Sequence, residues 1–198
     1  MQTIGYYIVF TILFYLAVTL TEWMIHRYLM HGDERMELSR HHKAHHRITE
    51  RDMSLSTVLE SEGLYFGLRE VTFILTMSIV IGFLIQILIG SITRIWISPW
   101  YIISLSLFTS VYIISFWNTI HPELHGRPIP TCRDGAPGWM GWKTIYSNLS
   151  FPGMGMNVYE WFQKNHIMHH LRKGNRKGNY NVTLPGADFI LGTYHTCE

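Results

Sequence analysis

Ten of the twelve histidines in this 198-residue chain lie in four short motifs, and they are its strongest candidates for chemistry. The motifs are HRYLMH, HKAHH, HPELH and HIMHH. Their histidines are His26, His31, His42, His45, His46, His121, His125, His166, His169 and His170. Neutral imidazole is a common protein ligand for Zn, Cu, Fe and Ni. Because about four to six ligands fill the first shell of such an ion, ten imidazoles predict two metal ions.

The spacing within the motifs suggests how they reach a metal. HKAHH and HIMHH repeat the pattern His-x-x-His-His, and residues i, i+3 and i+4 share one face of an α-helix. Each triple is therefore predicted to point three imidazoles at one volume. The five-residue step from His26 to His31 turns an α-helix by about 140° beyond one full turn. These two rings either serve different metals or require a local distortion. His41 and His195 are predicted to bind no metal.

Apolar residues are strongly segregated along the chain. Residues 1–21 carry no charge, and residues 71–117 carry only Arg94. Uninterrupted apolar stretches of this length are typical of transmembrane helices. We predict a single domain over residues 1–198, an all-α integral membrane bundle with a helical cap that carries the metal site. About three transmembrane helices are expected, at about 4–25, 71–89 and 100–117, with Gly90, Ser91 and Pro99 marking the turn between the last two.

Topology brings the four motifs to one side. With three crossings, residues 22–70 and 118–198 share a side, and they hold all four motifs and every Lys and Arg except Arg94. The positive-inside rule therefore predicts that the motifs face the cytoplasm and that the N-terminus lies opposite. The net charge of +2 gives no reason to expect a nucleic-acid partner.

Several metal chemistries are disfavoured by what the sequence lacks. It contains no H-E-x-x-H motif of a zinc metalloprotease, no Glu-x-x-His pair of the soluble di-iron type and no C-x-x-C motif. A transporter would place its ligands near the middle of the spans. A nitrogen-rich dinuclear site beside a membrane instead suits O₂-dependent attack on a lipid C–H bond, because iron can change oxidation state and zinc cannot.

The order and composition of the four motifs resemble the fatty acid hydroxylase / sterol desaturase superfamily of membrane dimetal oxygenases. The resemblance extends from Glu22 to Thr193 and includes the ending in which Asp188 precedes Gly192-Thr193. It implies that the ten motif histidines are the ligands of two metal ions, iron in the active enzyme with zinc possible in a purified form. It also implies O₂ as co-substrate and a fatty-acyl, sphingolipid or sterol substrate.

Other readings remain open within and beyond that superfamily. TEWMIHRYLMHG is similar to the start of bacterial β-carotene hydroxylases, so a carotenoid ring hydroxylase is the alternative, ahead of a desaturase or a non-oxidative membrane zinc protein. No dinucleotide fingerprint or fused haem domain occurs, so electrons are expected from a ferredoxin or cytochrome with its reductase.

Some neighbouring side chains have undecided roles. Glu22 and Glu123 could accept hydrogen bonds from imidazole N–H groups, but we read both as solvated carboxylates. The role of Asn165 is open. Candidates for lining an acyl channel are Trp139, Met140, Trp142 and Met154.

Overall fold

A computed structural model describes residues 2–50, 53, 66–125, 142–150, 155–171 and 177–196. Within these ranges every helix or strand that can be assigned is a helix, which agrees with the predicted all-α class. The α-helices are α1 (Gln2–Met24), α2 (Glu37–Ile48), α3 (Leu68–Thr93), α4 (Pro99–Ser115), α5 (His121–Leu124), α6 (Trp142–Asn148), α7 (Val158–Leu171) and α8 (Ala187–Ile190). Two π-helical segments, π1 (Ile25–Met30) and π2 (Phe116–Ile120), continue α1 and α4 respectively. The short α6 follows a Gly- and Pro-rich stretch of the sequence.

Three helical stretches are long and apolar enough to cross a membrane: Ile4–Met30, Leu68–Thr93 and Pro99–Leu124. Their number agrees with the prediction, but each ends beyond the predicted limit. The third stretch exceeds its predicted length by the most, because π2 joins α4 to α5. HPELH therefore lies at the end of a continuous helical stretch.

The second and third long helices form a hairpin through residues 94–98. α3 runs through Gly90 and Ser91, which were expected in the turn, and ends where Arg94 adopts a left-handed conformation and donates its backbone N–H to Gly90 O. Gln86, which is buried in the hairpin, accepts a hydrogen bond from Ile97 N at 3.0 Å and donates to Ile95 O at 3.3 Å. It thereby satisfies loop backbone groups that would otherwise lack partners in an apolar setting.

The long helices pack through a core of large apolar side chains. Phe10 and Phe14 of α1 are buried with Ile102 and Ile113 of α4. Large apolar side chains such as Leu84, Leu88 and Phe108 point outward and are exposed. A bundle that is apolar both inside and outside is suited to a hydrocarbon solvent.

The two π segments lie where the long helices reach the histidine motifs. In π1 the His31 N–H donates to His26 O at 3.1 Å, and a π-turn places residues five apart on one face. The rings of His26 and His31 are stacked with centroids 5.3 Å apart. The local distortion that the five-residue spacing suggested is thus present.

One end of the bundle gathers all the motif-bearing elements. The Asn118 side chain in π2 accepts from Phe66 N at 2.6 Å and donates to Phe66 O at 3.0 Å, which ties π2 to the chain just before α3. Phe116, Trp117, Trp161 and Phe162 form a second buried cluster beneath the histidines. The C-terminal segment 177–196, which includes α8, runs past this end and is largely buried as far as Asp188.

The α3–α4 contact gives a first prediction. A Cβ atom at Gly82 would lie 2.5 Å from Ile102 Cγ2, and Ile102 is fully buried. Gly82→Ala should therefore lower the free energy of unfolding by about 1–3 kcal/mol, through overpacking. Gly5→Ala is the matched control, because nothing lies within 4 Å of its added Cβ. Equilibrium unfolding in detergent micelles measures both, and equal stability of the two variants would contradict the close approach of α3 and α4.

Candidate metal centre

The first histidine group consists of His26, His31, His42 and His169, whose ligand atoms all lie within 4.8 Å of one another. His42 Nε2 lies 3.0 Å from His26 Nε2 and 3.2 Å from His31 Nε2. His46 adjoins this group, with its Nε2 3.0 Å from the Nε2 atoms of both His42 and His169. We call these five residues group 1.

The second group consists of His45, His121, His125 and His166, all buried and with ligand atoms within the same 4.8 Å limit. His166 Nε2 lies 2.8 Å from His125 Nε2. His170 adjoins this group, with its ring centroid 4.6–4.9 Å from those of His45, His125 and His166, and it also stacks on His46 of group 1 at 4.1 Å. We call these five residues group 2.

Each His-x-x-His-His triple is divided between the two groups. In the first triple, His42 and His46 belong to group 1 and His45 belongs to group 2. In the second triple, His166 and His170 belong to group 2 and His169 belongs to group 1. The prediction that a triple points at one volume was wrong. Residues four apart are separated by about 40° around the helix, but His45 lies about 60° and 100° from its two partners. α2 and α7 therefore lie between the groups and serve both.

Backbone carbonyls fix the tautomers of three rings. His26 Nδ1–H donates to Tyr180 O at 2.6 Å, His169 Nδ1–H donates to Gly178 O at 3.1 Å, and His125 Nδ1–H donates to Met53 O at 3.0 Å. Because a carbonyl oxygen only accepts, each of these rings must carry its proton on Nδ1. Each Nε2 lone pair therefore faces the interior of its group, as a metal ligand requires.

The rings outside the candidate spans are held neutral. Burial, followed by the proximity of His169, lowers the pKa of His31 to about 3. Burial lowers the pKa of His125 and of His169 to about 4. For His42, His46 and His170, burial and then neighbouring imidazoles lower the pKa well below its ordinary value. At neutral pH these rings are uncharged bases.

The arrangement fits bound cations. Ligand nitrogens at right angles, each about 2.1 Å from an ion, lie about 3 Å apart, which is the spacing observed between neighbouring Nε2 atoms of group 1. In the described part of the chain, neither ring nitrogen of His45 or of His170 has a hydrogen-bond partner although all four atoms are buried. Buried polar atoms normally have partners. The structure therefore contains two buried histidine groups that could hold metal ions.

Residues outside the two groups divide into bystanders and supports. His41 and His195 belong to neither group, and His41 Nε2 lies 3.9 Å from a Glu37 carboxylate oxygen. Glu22 and Glu123 are partly buried. Because the Glu22 carboxylate accepts hydrogen bonds from residues 181–184 and one oxygen of Glu123 is shielded from solvent, the prediction of solvated carboxylates was wrong. Asn165, whose role was open, is buried and donates to Asn181 O at 3.0 Å.

An apolar cavity of about 130 Å³ reaches group 1 from the bundle. Its lining residues on α3 run from Glu70 to Ile81, which are about 16 Å apart along the helix at about 1.5 Å per residue. His26 lines it near one end, and Val18 and Ile113 line it deeper in the bundle. Leu38 and Phe73 border it and are exposed, so it has an apolar edge at the surface.

Sequence reasoning missed the carbonyls that orient the rings and the residues that form the cavity. Tyr180 and Gly178 act through backbone atoms, which leave no side-chain signal. The cavity residues of α1 and α3 were read as ordinary membrane-spanning residues. The proposed channel residues Trp139, Met140, Trp142 and Met154 lie outside the residues whose side chains the structure describes, as do Cys132 and Cys197.

No family model, curated protein or solved structure matches this chain. Its function must therefore be inferred from its own residues and geometry.

The depressed pKa values predict an acid sensitivity of the metal-free protein. His31, His125 and His169 take up protons near pH 6.5 when unfolded but only near pH 3–4 when folded. The free energy of unfolding should be insensitive to these groups above pH 6.5 and should fall as pH drops from 6.5 to 4, by up to about 1.4 kcal/mol per pH unit for each histidine. Equilibrium unfolding of the chelated protein at a series of pH values measures this dependence. His31→Asn should flatten the slope, and stability that rises on acidification would contradict the assignment.

Proposed function

We propose that this chain is a membrane-embedded, O₂-dependent lipid hydroxylase whose ten motif histidines hold two iron ions. The observation that carries the proposal is the apolar cavity between the long helices, whose lining includes His26 of group 1. A hydrocarbon chain in that cavity would place one of its carbons beside the histidine groups. Iron bound there would supply the redox chemistry that O₂ activation requires. Zinc could not supply it, because zinc does not change oxidation state.

The side chains of the cavity would select and position the substrate. Apolar side chains would contact the substrate chain, among them Val18, Ile74, Ile81 and Ile113. These contacts would favour an apolar chain and exclude water from the histidine groups. Because the lining residues extend along about three turns of α3, we favour a fatty-acyl chain over a sterol or carotenoid as the substrate. The exposed apolar edge at Leu38 and Phe73 would admit the chain from the bilayer.

The membrane setting belongs to the same proposal. The three long helices would cross the bilayer, and the distribution of Lys and Arg favours a cytoplasmic position for the histidine groups, opposite the N-terminus. A ferredoxin or cytochrome with its reductase would deliver electrons at that face.

The proposal is tested with purified protein in lipid nanodiscs loaded with Fe²⁺ and supplied with ferredoxin, its reductase and ¹⁸O₂. We expect ¹⁸O to appear in a lipid product analysed by mass spectrometry. His42→Ala and His121→Ala should abolish this, since each removes one member of a group, whereas His41→Ala should retain activity because His41 belongs to neither group. Metal-dependent lipid turnover that continues without O₂ would reject the oxygenase and favour the non-oxidative zinc protein.

The cavity predicts which residues set chain length. Ser78 is buried on α3 and lines the cavity about two turns after Glu70 and one turn before Ile81. Ser78→Phe should shorten the longest acyl chain that is bound, because the new ring fills the cavity, and Ile81→Ala should lengthen it. Thr76→Phe is the matched control, since Thr76 is exposed on the same helix and does not line the cavity. Displacement of a fluorescent fatty acid from the metal-free protein measures this without turnover, and unchanged length preference in both cavity variants would reject the site.

A further inference from the structure

We propose that Glu22 is a positioning residue that sets the geometry of group 1 and leaves group 2 unaffected. It would act through the backbone of residues 180–184 rather than by touching an imidazole. The inference rests on the proposed metal centre, and it adds a specific carboxylate that controls one of the two sites.

The Glu22 carboxylate accepts four hydrogen bonds from one short segment. Thr183 donates its backbone N–H and its hydroxyl to Oε1, each at 2.8 Å. Leu184 N–H and the Asn181 side-chain amide donate to Oε2, each at 3.1 Å. An ionised carboxylate has about four acceptor sites and no donor, so it is matched to this set of four donors.

The same segment is held from its other side, chiefly through Asn181. Asn181 N–H donates to Asp188 Oδ2 at 2.6 Å, and its side-chain oxygen accepts from Asp188 N–H at 2.9 Å. Its amide also donates to Thr19 O at 2.8 Å. Asn181 is 1 % exposed, so these bonds form in a region where a lost partner is costly. The peptide that precedes Asn181 therefore has little freedom.

That peptide carries the carbonyl that orients His26. Tyr180 O accepts from His26 Nδ1–H, and His26 follows Glu22 by one helical turn. A closed path of contacts thus runs from Glu22 through Asn181 and Tyr180 back to His26 on the same helix. Two residues before Tyr180, Gly178 O orients His169, the other carbonyl-bonded ring of group 1. In group 2, His125 is oriented instead by Met53 O, in a different part of the chain.

Glu22→Gln keeps the size of the side chain but replaces one acceptor oxygen with an NH₂ donor. At least one of the two donor pairs would then face another donor, and the Tyr180 carbonyl would lose its fixed position. Loss of a group that orients a ligand typically lowers metal affinity by about ten- to a hundredfold. We expect that loss at group 1 alone.

The experiment titrates Co²⁺ into the metal-free protein in detergent and follows both cobalt content and visible d–d absorption against a competing chelator. Wild type should bind two ions, and Glu22→Gln should keep one at wild-type affinity while the other weakens by about ten- to a hundredfold. Asp188→Asn should weaken the same ion, because it disturbs Asn181 from the opposite side. Glu70→Gln is the matched control: Glu70 also lines the cavity, but its carboxylate accepts from Gly67 N–H.

Equal weakening of both ions in Glu22→Gln would mean a general loss of structure and would overturn the inference, as would two unchanged affinities. If wild type binds no cobalt, the proposed function fails, and the positioning role is tested by ¹⁵N NMR of histidine-labelled metal-free protein. The Nδ1–H tautomer signal of His26 is identified by its absence from the spectrum of His26→Gln. This signal should be lost in Glu22→Gln and kept in Glu70→Gln. Retention of that signal in Glu22→Gln would reject the inference. If both ions bind but no lipid is hydroxylated, the proposed reaction fails while the role of Glu22 stands.

Discussion

The crowding of uncharged imidazoles into two small buried volumes is the constraint on which the rest of the structure depends. In group 1 the carbonyl-bonded rings of His26 and His169 each present an Nε2 lone pair to the interior, and lone pairs that face one another repel. A cation between them converts that repulsion into ligation. In group 2 the buried ring nitrogens of His45 and His170 have no hydrogen-bond partner among the described residues, and a cation would supply one. The fold thus holds bases at a spacing that a shared cation could stabilise.

Helical periodicity meets this constraint in three ways. Each group combines a pair from the end of a long helical stretch, an i, i+4 pair from one triple and a single ring from the other triple. The pair in group 2, His121 and His125, has ordinary α-helical spacing, but His26 and His31 are five apart and share a group only because π1 widens the helix. A π segment costs stability relative to an α-helix, and its place at a ligand pair indicates that ligand geometry outweighs that cost.

The gathering of the motif histidines and the three apolar helices could be predicted from the sequence, because residue type and period carry those signals directly. The division of each triple could not, since it depends on where α2 and α7 lie relative to both groups. Nor could the role of Glu22: a carboxylate one turn before a histidine looks like a solvated or imidazole-bound group until the segment around Asn181 is placed against it. Contacts between positions about 160 residues apart leave no local pattern.

The two groups are alike in composition but differ in their surroundings. Group 1 borders the apolar cavity through His26 and receives its carbonyl acceptors from the C-terminal segment. Group 2 lies against the aromatic cluster, where the Trp117 ring stacks on His121 at 4.3 Å. An ion in group 1 would therefore lie nearer to a bound hydrocarbon, and one in group 2 would be more enclosed. The repeated His-x-x-His-His motif, which suggests equivalent groups, thus contributes to two histidine groups that differ in their access to the cavity.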